Sequence, residues 1–466
     1  MSDTDLRIED QPVDRMDEDD RLRPEFVRDV LARVDAGDDE GARDLVAPLH
    51  PADLADLFEL APEDRRGAMA AALGDMLDGD VLAEMNDHVR EGMIDQLEPY
   101  QVADIAAELD TDDAVAIIED MNAPDQAAVL RALDPDDRAA IEAALSYPEE
   151  SAGRLMQREL ISVPEYWTVG QVIDYLRDNS DLTTDFWEVF VVDPQHKPIG
   201  TCQLSWILRT PRTIAIADVM KREQTLIPVD MDQEEVALRF QKYALISAAV
   251  TDVDGRLAGM ITVDDIVHVI QQEASEDILR LSGAGDGDIN QPIIESYKGR
   301  VRWLIANLAT ALVASSIIAL FEGTIAQMVA LATLMPIVAG VGGNAGTQTM
   351  AVAVRAIATN QLTDSNTRRT ITREMRIALL NGATIAAIIG VGVTLVFSNP
   401  ALGGVIAAAM MANIFVAGLA GVLVPVLLDR LNQDPAVASS VFVTMTTDSM
   451  GFLAFLGLAT LAGLTG

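Results

Sequence analysis

The stretch VFVTMTTDSMGFLAFLGLA, residues 441–459, has the length and composition of a membrane-crossing helix, yet one acid, Asp448, stands in its middle. A span needs about 20 apolar residues. An Asp at the centre of such a helix costs roughly 2.5–3.5 kcal/mol even on lenient insertion scales, and residues that bear this cost usually mark ion or proton routes.

Four more uncharged runs precede it: WLIANLATALVASSIIALF (303–321), IAQMVALATLMPIVAGVGGNAGTQTMAVAV (325–354), IALLNGATIAAIIGVGVTLVF (377–397) and ALGGVIAAAMMANIFVAGLAGVLVPVLL (401–428). A buried soluble core rarely repeats such runs five times, so the expectation is five spans, the last over 440–464. Basic residues orient them. Lys298, Arg300 and Arg302 precede the first span, the expected second-to-third loop contains Arg368, Arg369, Arg373 and Arg376, and Arg430 follows the fourth. The other loops and the C-terminal end have none. The positive-inside bias puts the N-terminus in the cytoplasm and the C-terminus outside, as an odd number of spans requires. The acidic N-terminus lacks an apolar h-region and is not a secretory signal.

In the second span, Pro336 precedes GVGGNAGTQ. Pro removes a backbone donor and Gly loosens a helix, so the expectation is a break that frees carbonyls and amides near Gly342, Gly343 and Asn344, which at membrane depth must face protein or a watery cavity. No Lys or Arg lies centrally in any span to pair with Asp448, and no His or Cys is present there. The partner expected for Asp448 is therefore a hard, oxygen-seeking cation from solution rather than a transition metal. A carboxyl hydrogen-bonded to Thr444, Thr446 or Thr447 is the plainer alternative.

The chain has 33 Lys+Arg against 73 Asp+Glu, a net charge of -40. Residues 303–466 are neutral, so the first 302 carry the whole excess. Nucleic acid would be repelled and is not an expected partner. Cations are the natural counter-charge, with solubility or salt adaptation as the plainer reading. The one cysteine, Cys202, has no partner for a disulfide. There is no Walker-type loop and no His-Glu-x-x-His site, and the chain reads as a non-enzyme.

Residues 1–24 read as an acidic disordered tail, and 25–150 as short amphipathic helices with Pro and Asp at their starts, arranged as superhelical repeats. Their acids, including Asp110, Asp112 and Asp113, are N-caps or solvated faces by default. Beyond SYPEESAGRLM the pattern is duplicated: DFWEVFVVDPQHKPIGTCQLSWIL and LISAAVTDVDGRLAGMITVDDIVHVI each contain two strands closed by a turn and followed by a helix.

That pair resembles tandem CBS domains, at 151–213 and 214–272, with GMITVDDIVHVI matching the characteristic end of the second. The resemblance implies that Thr262 and Asp265 can hold the ribose of ATP; GTCQLSWILRT in the first copy lacks the acid. EASEDILRLSGAGDGD, GGNAGTQTMAVAVRAIAT and DPAVASSVFVTMTTDSMGFLAFLGLA, in this order, make the whole chain similar to the MgtE family of magnesium transporters or channels. The fold this implies is a multidomain membrane protein: an all-α superhelical N-domain, an α/β tandem CBS pair, a connecting helix and hinge at 273–298, and a five-helix transmembrane bundle at 299–466.

The resemblance also implies a homodimer in a lipid bilayer, the cell (inner) membrane, whose second and fifth spans line a pore for Mg²⁺. Asp448 would be the pore acid, with Asn344, Gly343, Thr347 and Thr444 around it. Mg²⁺ keeps several of its waters and uses one or two carboxylates, which two facing Asp448 side chains would supply. Mn²⁺ and Co²⁺ accept the same kind of site. The membrane potential gives about 2.3 kcal/mol per charge per 100 mV, so passive entry needs no ATP. Regulatory Mg²⁺ would bridge Asp264, Asp265, Glu273, Glu276 and Asp277, with Asp110 or Asp113 opposite, and select a closed state. The rivals are a proton- or sodium-coupled carrier, disfavoured by the lack of a second intramembrane acid, and a sensor whose spans only anchor it.

Overall fold

The computed structural model describes residues 15–19, 21–119, 121–179, 186–283, 290–363, 365–431 and 433–463. Most of the expected hinge over 283–290, and residues 1–14 of the expected tail, lie outside them. The chain divides into two compact units, residues 1–271 and 272–466.

The first unit begins with short helices: α1 (Pro24–Ala36), α2 (Asp39–Val46), α3 (Pro51–Leu60), α4 (Glu63–Leu73), α5 (Gly79–Ala83), α6 (Asp87–Ile94), α7 (Pro99–Ala106), α8 (Thr111–Glu119), α9 (Ala123–Ala132) and α10 (Pro135–Leu145). Proline opens α1, α3, α7 and α10, where a missing N–H costs nothing. Asp38, Asp78, Asn86 and Asn122 accept backbone N–H groups as caps. The apolar faces close on Phe26, Leu57, Phe58, Met69, Leu73 and Ile118. Ordered structure begins before residue 25: Met16 pairs with Leu22, and Leu22 is buried in this core.

Two matching three-stranded sheets follow, β1 (Ser162–Pro164), β2 (Glu188–Val192) and β3 (Pro198–Gln203), then β4 (Leu226–Pro228), β5 (Ser247–Thr251) and β6 (Leu257–Thr262). In each, the first strand runs parallel to the second and the second antiparallel to the third, with a register shift at Val191/Val192 and at Val250/Thr251. The turns are equally alike. Asp193 Oδ1 accepts from the backbone of Gln195 and Lys197, and Asp252 Oδ1 from Asp254 and Arg256. His196 and Gly255 take the left-handed conformation at the same place in each turn. The duplication seen in the sequence is thus a duplication of backbone geometry. Around the sheets lie α11 (Val169–Asp178), α12 (Leu204–Arg209), α13 (Ile216–Val219) and α14 (Gln233–Tyr243), and β6 leads directly into α15 (Val263–Ser282).

The second unit contains α16 (Ile293–Ala319), the short α17 (Glu322–Gln327), α18 (Ala330–Ala358), α19 (Thr367–Phe397), α20 (Pro400–Arg430) and α21 (Pro435–Leu461). Among the described residues, four helices are long and apolar enough to cross a membrane: α16, α19, α20 and the Ser439–Leu461 part of α21. α18 is 29 residues long, but Asn344, Thr347, Gln348 and Thr349 dilute its apolar character.

The helices differ from the expected spans. The 325–354 run is divided between α17 and α18, and α19 starts ten residues before 377. Arg368, Arg369, Arg373 and Arg376, expected in a loop, form the first turns of α19, because Arg, Glu and Met sustain a helix as well as the apolar residues that follow. The expected break in α18 is absent: it is helical through Pro336 and GVGGNAGTQ, and none of those glycines has a positive φ. The glycines serve close packing instead. A Cβ on Gly346 would come 2.7 Å from Val443 Cγ1, and one on Gly421 2.8 Å from Thr349 Cβ.

These contacts fix direction. Gly342 meets Asn413 and Thr349 meets Gly421, so α18 and α20 run parallel. Gly346 meets Val443 and Thr447 while Asn413 touches both Gly342 and Gly451, so α21 runs opposite to α18. Gly418 meets Ala378 and Gly390 meets Gly403, so α19 opposes α20. Thr324 of α17 hydrogen-bonds Thr460, so α16 ends where α21 ends. Consecutive long helices therefore alternate in direction.

Candidate metal centres

In α21, the Asp448 carboxyl is half-buried and has no hydrogen-bond or ion-pair partner among the described residues. The neighbouring threonines do not satisfy it. Thr446 Oγ1 donates to Phe442 O at 2.8 Å and Thr447 Oγ1 to Thr444 O at 3.0 Å, both inside the helix backbone. Thr444 is exposed. On α18, Gly342 and Gly346 are buried in the helix packing, whereas Asn344 and Thr347 are exposed and a Cβ on Gly343 would meet nothing within 4 Å. Because Gly346 packs on Thr447, the residue before Asp448, the polar face of α18 lies at the level of the acid. The backbone near Gly342, Gly343 and Asn344 stays helical, so its carbonyls do not join the acid as free ligands.

A residue absent from the sequence reading holds this region together. Asn413 of α20 is fully buried, and its Nδ2 donates to Val338 O at 2.9 Å. It was legible only as one Asn inside an apolar run, and its role depends on the two glycines it fills.

In the first unit the acids near α8 are not a solvated face. Asp112 Oδ1 is buried without a partner. Burial first, and then the charges of Asp265, Asp113 and Asp110, hold the Asp112 carboxyl well above the usual carboxylate range. Burial, with Asp265 and Asp110, pushes Asp113 up to about 7. Asp265 is pushed up to about 6, again by burial first, although Thr262 Oγ1 donates to its Oδ2 at 2.6 Å. Thr262 and Asp265 are thus hydrogen-bonded to each other. Glu84, 3.9 Å from His268, adds to the negative field on Asp113. Glu159, which the sequence reading passed over, fixes the start of α8 by accepting from Thr111 N and Oγ1.

Asp264 is exposed in the first turn of α15, and Asp110 stands just before α8, its carbonyl accepting the first helical hydrogen bond, from Ala114 N at 3.0 Å. In the second unit, Glu276 pairs with Arg280, and Arg280 also reaches Asp434 at 2.8 Å. Glu273 is engaged within the structure. The side chain of Asp277 lies outside the described residues. Among the described residues no three His, Cys, Asp or Glu side chains are grouped closely enough to hold a metal ion. Asp112, Asp113 and Asp265 nonetheless crowd one another, each raised chiefly by burial and by neighbouring negative charge, with Asp112 Oδ1 left without a partner.

Residues 335–458 match the family model for the divalent cation transporter MgtE, residues 49–150 the MgtE intracellular N domain, and residues 216–272 the CBS domain. The magnesium transporter MgtE of Enterococcus faecalis is 34% identical over 68% of this chain and 70% of its own length. This chain belongs to the MgtE family. The magnesium transporter MgtE of Bacillus subtilis is 28% identical over 94% of this chain and 97% of its own length. The crystal structure of the cytosolic domain of the Mg²⁺ channel MgtE in complex with ATP covers 52% of this chain and 99% of that chain, at 28% identity and a TM-score of 0.48. The chain is accordingly a multi-pass membrane protein of a magnesium-transporting family, and the relatives with curated names are transporters.

Proposed function

We propose that this MgtE-family chain is a Mg²⁺ channel that passes the ion at Asp448 and is closed by cytosolic Mg²⁺. The observation that carries the reading is an unpartnered carboxylate halfway along an apolar helix, level with the polar face of α18. α18, the second in chain order, completes a set of five spans with the four other long helices: its neighbours alternate in direction around it, and its polar residues belong to the conduction path. The N-terminus is cytoplasmic, the C-terminus outside, and the membrane is the cell (inner) membrane. Two subunits place two Asp448 carboxylates across one axis, where a hydrated Mg²⁺ needs only those two. Asn344, Thr347 and Thr444 hold its waters, and Gly343 leaves room for them.

Closure follows from the acids of the first unit. Asp112, Asp113 and Asp265 repel one another when bare, and a divalent cation between them stabilises their approach. A nucleotide is assigned to Thr262 and Asp265, which must first open their mutual hydrogen bond.

Mg²⁺ flux into vesicles, with Asp448→Ala beside the unaltered chain, tests the pore. Loss of flux in the variant is expected; unchanged flux sinks the assignment. The carrier reading gains one observation, because Glu374, expected in a loop, is a buried acid of α19. A strict requirement for a proton or sodium gradient would favour it.

A further inference from the structure

A cleft of about 200 Å³ opens between α18, α19 and α20, lined among others by Gln348, Thr349, Arg373, Glu374, Asn381 and Ile414. It has room for several waters. Close approach of Ala378 to Gly418 brings α19 onto α20 and places the Glu374 backbone 3.8 Å from the position of a Cβ on Gly418. The Glu374 side chain is only 6% exposed, while the Arg373 side chain that pairs with it at 2.5 Å is 65% exposed. The pair is asymmetric: a buried anion is held by a cation at the rim. Its second oxygen makes no hydrogen bond among the described residues. Gln348, Thr349 and Asn381 likewise spend no side-chain hydrogen bond within the described structure.

A buried carboxylate that stays ionised needs a counter-charge. Arg373 is a weak provider, since adjacent residues on a helix do not face each other and its guanidinium must fold back to reach Glu374. It gives up that contact at little cost, because in a bilayer an exposed Arg finds lipid phosphate or water. One carboxylate, two amides and a hydroxyl around a watery space match what a hydrated hard divalent cation asks for.

We propose that this cleft is a second divalent-cation subsite, with Glu374 supplying the charge, Gln348, Thr349 and Asn381 holding the ion's waters, and Arg373 acting as a displaceable counter-ion. The proposal rests on the reading of the chain as a carrier of divalent cations. Gln348 continues the polar face of α18 beyond Asn344 and Thr347, so the subsite extends the route from Asp448.

The test uses Mn²⁺ as an anomalous scatterer in crystals of the full-length protein. A peak is expected in the cleft within water-mediated reach of Glu374. It should vanish in E374Q, which keeps the shape of the side chain, and in R373A it should reach half occupancy at a Mn²⁺ concentration about tenfold lower, the order expected when one competing charge is removed from a partly solvated site. A peak that persists in E374Q overturns the proposal, as does an empty cleft in both the unaltered chain and R373A at Mn²⁺ levels that saturate transport. Failure of the Asp448 flux test is a separate result, since the cleft is read directly in the map.

Discussion

Asn413 donates to the carbonyl of Val338 at 2.9 Å from a fully buried position, filling the space left by Gly342 on one side and Gly451 on the other. One amide thus fixes the spacing of α18, α20 and α21, the last of which carries Asp448. Polar contacts between membrane helices contribute about 1 kcal/mol, and Asn413→Ala also opens a cavity. Asn413→Ala should lower the melting temperature of the detergent-solubilised protein, and Gly342→Ala should do so as well, because its Cβ would enter the Asn413 side chain. Melts unchanged in both would show that the three helices do not depend on this contact.

The glycines of α18 separate packing from the proposed conduction role. A Cβ on Gly346 would lie 2.7 Å from Val443 Cγ1, whereas one on Gly343 meets nothing. Gly346→Ala is therefore expected to destabilise by about 1–3 kcal/mol, the usual cost of overpacking. Gly343→Ala should melt like the unaltered protein but pass Mg²⁺ more slowly, because the added methyl narrows the space proposed for the hydrated ion. Full flux in Gly343→Ala would remove Gly343 from the pore.

The sequence made the long apolar helices and the duplicated strands plain, because both carry strong local patterns: charge-free runs in one case, Asp-initiated turns at Asp193 and Asp252 in the other. Asp448 was legible for the same reason, as a charge against an apolar background. What escaped was set by neighbours distant in the chain. Nothing local distinguishes a Pro-Gly-rich helix that breaks from one whose glycines are filled by Asn413 and Val443. Glu374 was hidden by its basic surroundings, which looked like a loop until α19 carried them into helix. Asp112 and Asp113 read as helix-start acids, and only the approach of Asp265 makes them a cluster.

Arg280 tests how Glu276 acts. It bridges Glu276 and Asp434, and Asp434 Oδ1 caps α21 by accepting from Ala436 N at 2.7 Å. Leu281, the next residue, packs with Met350, Val354, Ala436 and Val443 at the same end of the bundle. If Glu276 works by holding Arg280 on this cap, Arg280→Ala and Glu276→Ala should both leave more current at millimolar internal Mg²⁺, to a similar extent. A role as metal ligand alone predicts the effect for Glu276→Ala and normal closure for Arg280→Ala. The stability change should be small, about 1 kcal/mol or less, since these side chains are partly exposed.

The acids of the first unit predict a pH dependence whose sign is fixed. Asp113 is pushed up to about 7 and Asp265 to about 6, with Asp112 also raised, all chiefly by burial; Asp110, Asp80, Glu84 and Asp264 add negative field and His268 opposes it. A carboxyl whose folded pKa is raised favours the packed state fully below about pH 4, its unfolded range, and loses that contribution as pH rises through the folded values. In the absence of divalent cations, protection of the full-length protein from proteolysis should therefore weaken between about pH 5 and pH 8. Mg²⁺ competes with protons for the same carboxylates, so it should restore protection at pH 8 and add little at pH 5. Asp113→Asn, which keeps the shape without the charge, should flatten the dependence and leave the protein better protected at pH 8 without Mg²⁺. Equal protection by Mg²⁺ at pH 5 and pH 8 would place its binding site away from Asp112, Asp113 and Asp265.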